Sequence, residues 1–206
     1  MPRLRAALPI IGFVAVLVLG ACSSETTQSD QPPAATESPA ADHGSRKAVP
    51  EGVARQYATV SEEIAEHGGE TTSGEWRVGY IIEAAEPWFV PAGSGYNFRQ
   101  PAPDETNHIE IIPIEAKTGR IVPDVPIRLE ILDSSGRVVQ AKHLNFYYSE
   151  FFHYANNFSV SGPGRYTLRA TLGVPTFLRH GEQGQTPPLA QGTTVQFTDV
   201  EIKAGG

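Results

Sequence analysis

Arg165-Tyr166-Thr167-Leu168-Arg169-Ala170-Thr171-Leu172 decides the fold class. Tyr166, Leu168, Ala170 and Leu172 fall on one side of an extended chain, and Arg165, Thr167, Arg169 and Thr171 on the other. That period of two is the signature of a half-buried β-strand. Ser161-Gly162-Pro163-Gly164 just before it reads as a tight turn. Tyr166, so close to that turn, fits a tyrosine corner and a plain core position equally well.

The same grammar repeats in both directions. Thr193 to Ile202 alternates again and closes the domain. Pro126 to Leu132 and Arg137 to Phe146 read as strands joined by the hairpin signal Asp133-Ser134-Ser135-Gly136. Trp76 to Glu83, Asn107 to Ile114 and the short piece Asn157 to Val160 complete the set, while Pro87 to Pro103 is loop-rich. Tyr57 to His67 predicts a short helix ended by Gly68-Gly69. Roughly seven short strands separated by Gly and Pro turns predict an all-β fold, an immunoglobulin-like antiparallel β-sandwich.

Ahead of this domain, expected over residues 56–206, the chain carries other signals. Arg3 and Arg5 precede an apolar run from Ala6 to Leu19 that contains Pro9 and Gly12. The run is shorter than the roughly 20 residues a spanning helix needs and reads as part of a signal peptide over residues 1–21. Leu19-Gly20-Ala21-Cys22 has the lipobox pattern of bacterial lipoproteins, and Cys22 is the single cysteine of the chain. Acylation there predicts an extracytoplasmic protein attached to the cell membrane without spanning it. One cysteine also excludes an internal disulfide and a thiolate metal cluster. Residues 22–55, rich in Ser, Thr, Pro, Ala, Gln and acids, read as a disordered tether.

The formal charge is −7 for the whole chain, two units more negative once Arg3 and Arg5 leave with the signal. No basic patch interleaved with aromatics is present, so nucleic acid is not expected as a partner. An acidic surface outside the membrane favours the approach of cations. The chain has no Gly-x-Ser-x-Gly elbow, no phosphate-cradling loop and no cysteine nucleophile in the domain, so no enzyme activity is expected.

Three pieces carry the chemistry: His108-Ile109-Glu110, His153-Tyr154-Ala155-Asn156 and Arg179-His180-Gly181-Glu182. His108 and Glu110 stand two apart on a strand and therefore share a face, with Ile109 and Ile111 turned toward the core. His153 follows an aromatic run, Phe146, Tyr147, Tyr148, Phe151 and Phe152, whose desolvation favours neutral imidazole, the metal-binding form. His153 also reads as a core histidine bonded to backbone. Asn156 either orients His153 or shapes a turn. His180 sits in a long loop, Gly173 to Gly192, of a kind that usually serves a purpose. His43, His67 and His143 read as solvated. Three imidazoles and a carboxylate make an N/O donor set suited to a divalent transition metal.

The order His-x-Glu on a strand, then His-Tyr-x-x-Asn, then Arg-His in a late loop resembles the periplasmic high-affinity ferrous-iron transport protein family, over about Trp76 to Lys203. The resemblance implies an immunoglobulin-like fold, a homodimer, iron or copper as the bound ion and an iron permease as partner. It places metal ligands on His108, Glu110, His153 and His180, with Tyr154 and Phe146 beside them. The family also uses a methionine a few residues before the central histidine. That place lies near Phe146 here, and Met1 is the sole methionine of the chain. The family's methionines after the first strand are likewise replaced by Trp88-Phe89-Val90-Pro91-Ala92-Gly93. The expectation is a protein that captures iron, or copper, for an uptake system, with affinity falling as pH drops through the histidine range near ~6.5. The rival expectation is a non-catalytic interaction domain with a degenerate site, binding another protein through its aromatic run.

Overall fold

The computed structural model describes residues 48–203. The signal peptide, Cys22 and most of the tether lie outside the described residues. Among those described, no helix is long and apolar enough to cross a membrane.

Among the described residues eleven strands and one helix follow in order: α1 (Glu51–His67), β1 (Gly68–Ser73), β2 (Trp76–Ala84), β3 (Trp88–Ala92), β4 (Gly95–Arg99), β5 (Asn107–Glu115), β6 (Ile127–Leu132), β7 (Val138–His143), β8 (Asn145–Tyr148), β9 (Phe152–Phe158), β10 (Gly164–Leu172) and β11 (Thr193–Ile202). A five-stranded sheet β1-β2-β5-β9-β8 faces a four-stranded sheet β11-β10-β6-β7, and β3 and β4 form a separate hairpin. All pairings are antiparallel. This is the immunoglobulin-like sandwich the turn and strand pattern predicts.

The inward residues follow the alternation. Leu168, Ala170 and Leu172 of β10 meet Leu129 and Ile131 of β6 and Ile109, Ile111 and Phe158 of the opposite sheet in one core cluster. In β11 the inward set shifts from Val195 and Phe197 to Val200 and Ile202. A register irregularity opposite Tyr166 and a positive φ at Asp199 mark the extra residue that makes this shift. Tyr166 donates its hydroxyl hydrogen to the Gly162 carbonyl, 2.9 Å away, as a tyrosine corner does.

Five local expectations change, the first being that the short strand expected over Asn157 to Val160 is β9, Phe152–Phe158, which starts five residues earlier and carries His153. The helix begins at Glu51, not Tyr57, and so takes in the last residues assigned to the tether. Its buried residues, Val60 and Ile64, lie in the second half, so the first turns carry no apolar stripe by which to read them. Gly68-Gly69 ends the helix but continues directly into β1. Arg137 to Phe146 is two strands in different sheets: β7 edges the four-stranded sheet, and after Leu144 the chain crosses to edge the other as β8. The loop-rich stretch after β2 holds the β3–β4 hairpin.

Strand β5 lies at the centre of its sheet and is buried on both faces. Ile109 and Ile111 enter the core between the sheets. Ile112 and Ile114 face outward, under Val60 and Ile64 of α1 and beside Ile81 and Phe151. The helix thus covers the outer face of the sheet, the same face that carries His108 and Glu110. Pro113 is tolerated because the ladder to β9 stops at Ile111, so its missing N–H removes no bond there.

Candidate metal centre

The register sets the site. Glu110 of β5 lies opposite Ala155 of β9, and His108 opposite Asn157. Directly opposed residues share a face, so His153, two places from Ala155, projects beside Glu110. On β8, Tyr147 lies opposite His153.

His108, Glu110 and His153 converge, each offering one ligand atom within 4.8 Å of the others. His108 Nε2 stands 3.9 Å from Glu110 Oε1, and His153 Nε2 stands 3.6 Å from the same oxygen. Two donors at 2.0–2.2 Å from one ion are separated by no more than about 4.3 Å, a limit that both histidine-to-Glu110 distances meet. All three are buried, at 1%, 5% and 5% exposure. Among the described residues, His108 Nε2 and Glu110 Oε2 have no hydrogen-bond partner.

The electrostatics follow from that burial. Desolvation, with the carboxylates of Glu83, Glu86 and Glu63 nearby, pushes Glu110 up to about 8. Burial holds His108 below its ordinary value against the opposing bond from Asn157. Burial, then the neighbouring His108, lowers His153 to about 4. Both imidazoles are neutral at pH 7, and a proton occupies Glu110 in the absence of an ion.

Aromatic rings wall the cluster. Tyr147 stacks on His153 with centroids 5.4 Å apart and planes 5° from parallel, and meets His108 edge-on at 5.7 Å. Trp88 packs edge-on against Tyr147, and Phe151 against His153. Arg99 lies over the Trp88 ring at 4.1 Å. The cluster opens into a cavity of about 1060 Å³, at whose wall Glu63, Glu83 and Glu86 also lie.

The other sequence candidates stand elsewhere. His180 is exposed and does not join the cluster. Its loop is held at the far end of the five-stranded sheet, where Leu189 N–H bonds Glu75 and the Gln191 carbonyl accepts from Trp76. Asn156 does not orient His153. It points to the opposite face and donates to the His143 carbonyl, while the His153 Nδ1 partner is the Phe151 carbonyl, 3.3 Å away. Tyr154 faces the core, donating its hydroxyl to the Val122 carbonyl and accepting from Val125 N–H. Phe146 shares its face with Phe152 and Tyr154 and stacks on Phe152. The residues that serve the cluster are Tyr147, which the sequence reading places in the aromatic run ahead of His153, and Asn157 and Trp88, to which it gives no part in the site. A strict count by twos from His153 would have selected Asn157.

The molecule is therefore an immunoglobulin-like sandwich with a buried two-histidine, one-carboxylate cluster on the outer face of one sheet. No protein-family model matches the chain, and no curated protein matches it. Solved structures share its fold. A copper-bound variant of P19 from Campylobacter jejuni aligns at TM-score 0.56 with 16% identity, covering 68% of this chain and 97% of that one. Copper-reconstituted P19 aligns at 0.52 and 16%, covering 66% and 95%. A copper-bound variant of FetP from uropathogenic Escherichia coli aligns at 0.52 and 17%, covering 68% and 94%.

Proposed function

We propose that this protein is a lipid-anchored, extracytoplasmic metal-binding protein that captures a divalent transition-metal ion for an uptake system and hands it on without turnover. One observation carries the reading: three buried acceptor groups face one another, and two of their atoms are unpartnered. An unsatisfied buried polar group costs about 1–3 kcal/mol, which a shared cation would offset. His108, Glu110 and His153 would hold the ion, and the rings of Tyr147 and Trp88 would limit water. Glu63, Glu83 and Glu86 at the cavity wall draw cations toward it.

Copper stands first on affinity by the Irving–Williams order, and the fold relatives named above were bound to copper. With no methionine beyond Met1, the donors are nitrogen and oxygen, favouring Cu²⁺ over Cu⁺. Ferrous iron is the cargo implied by the sequence resemblance. Attachment through Cys22, an iron permease as recipient and a homodimer belong to the same proposal.

Calorimetric titration of residues 47–206 with Cu²⁺, Zn²⁺, Mn²⁺ and anaerobic Fe²⁺ tests it, with the His108→Ala/His153→Ala double variant beside the wild type. One-to-one binding lost in the variant is expected. No binding by the wild type would move the weight to a second reading, a protein-interaction domain with a degenerate site. That reading is favoured by the exposure of Phe89, Tyr96, Phe98 and Tyr148, at 66%, 71%, 53% and 77%.

A further inference from the structure

We infer that Asn157 is the positioning residue of the cluster: it locks His108 in the Nδ1–H tautomer, so that Nε2 is presented toward Glu110 and His153 as an electron-pair donor. The inference rests on the metal-binding reading for its purpose, but not for its physics.

Only one orientation of the Asn157 amide satisfies its surroundings. Asn157 Nδ2 lies 2.8 Å from the Glu86 carbonyl and 3.3 Å from Glu105 Oε2, both acceptors. Asn157 Oδ1 accepts from Glu86 N–H at 3.1 Å. Flipping the amide would set its NH₂ against an N–H and its oxygen against a carbonyl and a carboxylate. With the oxygen so fixed, the atom 2.8 Å from it, His108 Nδ1, has to be the donor. A neutral ring has one N–H, so His108 Nε2 carries the lone pair. This is the same buried nitrogen that finds no partner.

The amide is itself held. Burial opposes ionisation of Glu105, but the Ala102 N–H, Arg99 and Asn157 together bring it down to about 2, so it stays a carboxylate and an acceptor. Arg99 donates to both of its oxygens, at 2.7 and 2.8 Å, and Lys142 lies 3.5 Å away. Asn157 is fully buried. The chain of contacts runs from Arg99 and Lys142 through Glu105 and Asn157 to His108, and it also ties down the turn after β2 that leads to Trp88. His153 reaches the same presentation independently, by donating Nδ1–H to the Phe151 carbonyl. Two different backings, an amide on one side and a carbonyl on the other, aim two Nε2 lone pairs at the one carboxyl group of Glu110.

The test reads the metal-free protein. Long-range ¹H–¹⁵N spectra of the full chain with ¹⁵N-labelled histidine report the tautomer of each ring. In the wild type His108 is expected as Nδ1–H; finding it as Nε2–H overturns the inference without any variant. Asn157→Leu, similar in volume but without the acceptor, should move His108 to Nε2–H while His153 keeps Nδ1–H, which shows that the site is folded. Affinity for Cu²⁺ should fall about 10–100-fold in Asn157→Leu. A His108 ring that stays Nδ1–H in folded Asn157→Leu overturns the inference even if copper binds tightly. If the tautomer switches as expected and no metal binds the wild type, the metal-binding reading fails alone.

Discussion

Glu110 controls the pH response of the site, a role the sequence reading assigns to histidine. Its carboxyl is pushed up to about 8 by burial and the nearby carboxylates, whereas His153 is lowered to about 4. Below about pH 8 an incoming cation has to displace a proton from Glu110, so Cu²⁺ affinity should rise roughly tenfold per unit from pH 6 to 8 and then level off. Titrations at a series of pH values check this. A midpoint near ~6.5 would restore histidine protonation as the controlling event. The metal-free protein responds in the opposite sense. The folded value of Glu110 lies above its unfolded one, so its contribution to stability is full below about 4.5 and is lost as pH rises through about 8. Melting temperature of the metal-free protein should therefore drop between pH 6 and 9. Glu110→Gln should flatten that profile and weaken copper binding.

At the scale of elements, two junctions decide whether the scaffold holds its register. Gly68 joins α1 to β1 so closely that a Cβ there would lie 1.6 Å from the Tyr80 carbonyl oxygen. No side-chain rotation relieves a clash with backbone, so Gly68→Ala should cost about 2–4 kcal/mol in denaturant unfolding. Tyr166→Phe, on β10, a strand of the sheet that does not carry the cluster, removes the hydroxyl bond to Gly162. It should cost about 1 kcal/mol and leave metal affinity unchanged. The elements also show where sequence reading succeeds. Strands β10 and β11 are legible because each has one wet and one dry face, and alternation records that difference. Strand β5 is less so: α1 makes its second face dry as well, and the run Ile111-Ile112-Pro113-Ile114 loses the period of two. The β7–β8 division is invisible because a crossing between sheets at Leu144 changes the partners of the chain without interrupting its β-favouring composition.

Across the whole molecule, the long loop and the cluster lie at opposite ends of one sheet. In a single chain His180 stands apart from the cluster, so His180→Ala should leave the copper affinity of the monomer within about twofold, while His153→Ala should lose most of it. Titration at concentrations where the protein is monomeric checks both. The approach of cations belongs to this scale too. Glu63 comes from the helix, Glu83 from β2 and Glu86 from the turn after it, and only the fold gathers them beside Glu110.

The sequence by itself determined the sandwich, the polar face shared by His108 and Glu110, and the position of His153 among aromatic rings, because these follow from the two-residue period and from local composition. Which histidines meet was decided by strand register, an interaction between segments about 45 residues apart that no local pattern encodes. Register set Ala155 against Glu110, brought Asn157 rather than Asn156 to His108, and put Tyr147 rather than Phe146 over His153. A one-residue slip of β9 against β5 would have reversed the first two pairings, and a slip against β8 the third, because successive side chains on a strand point to opposite faces.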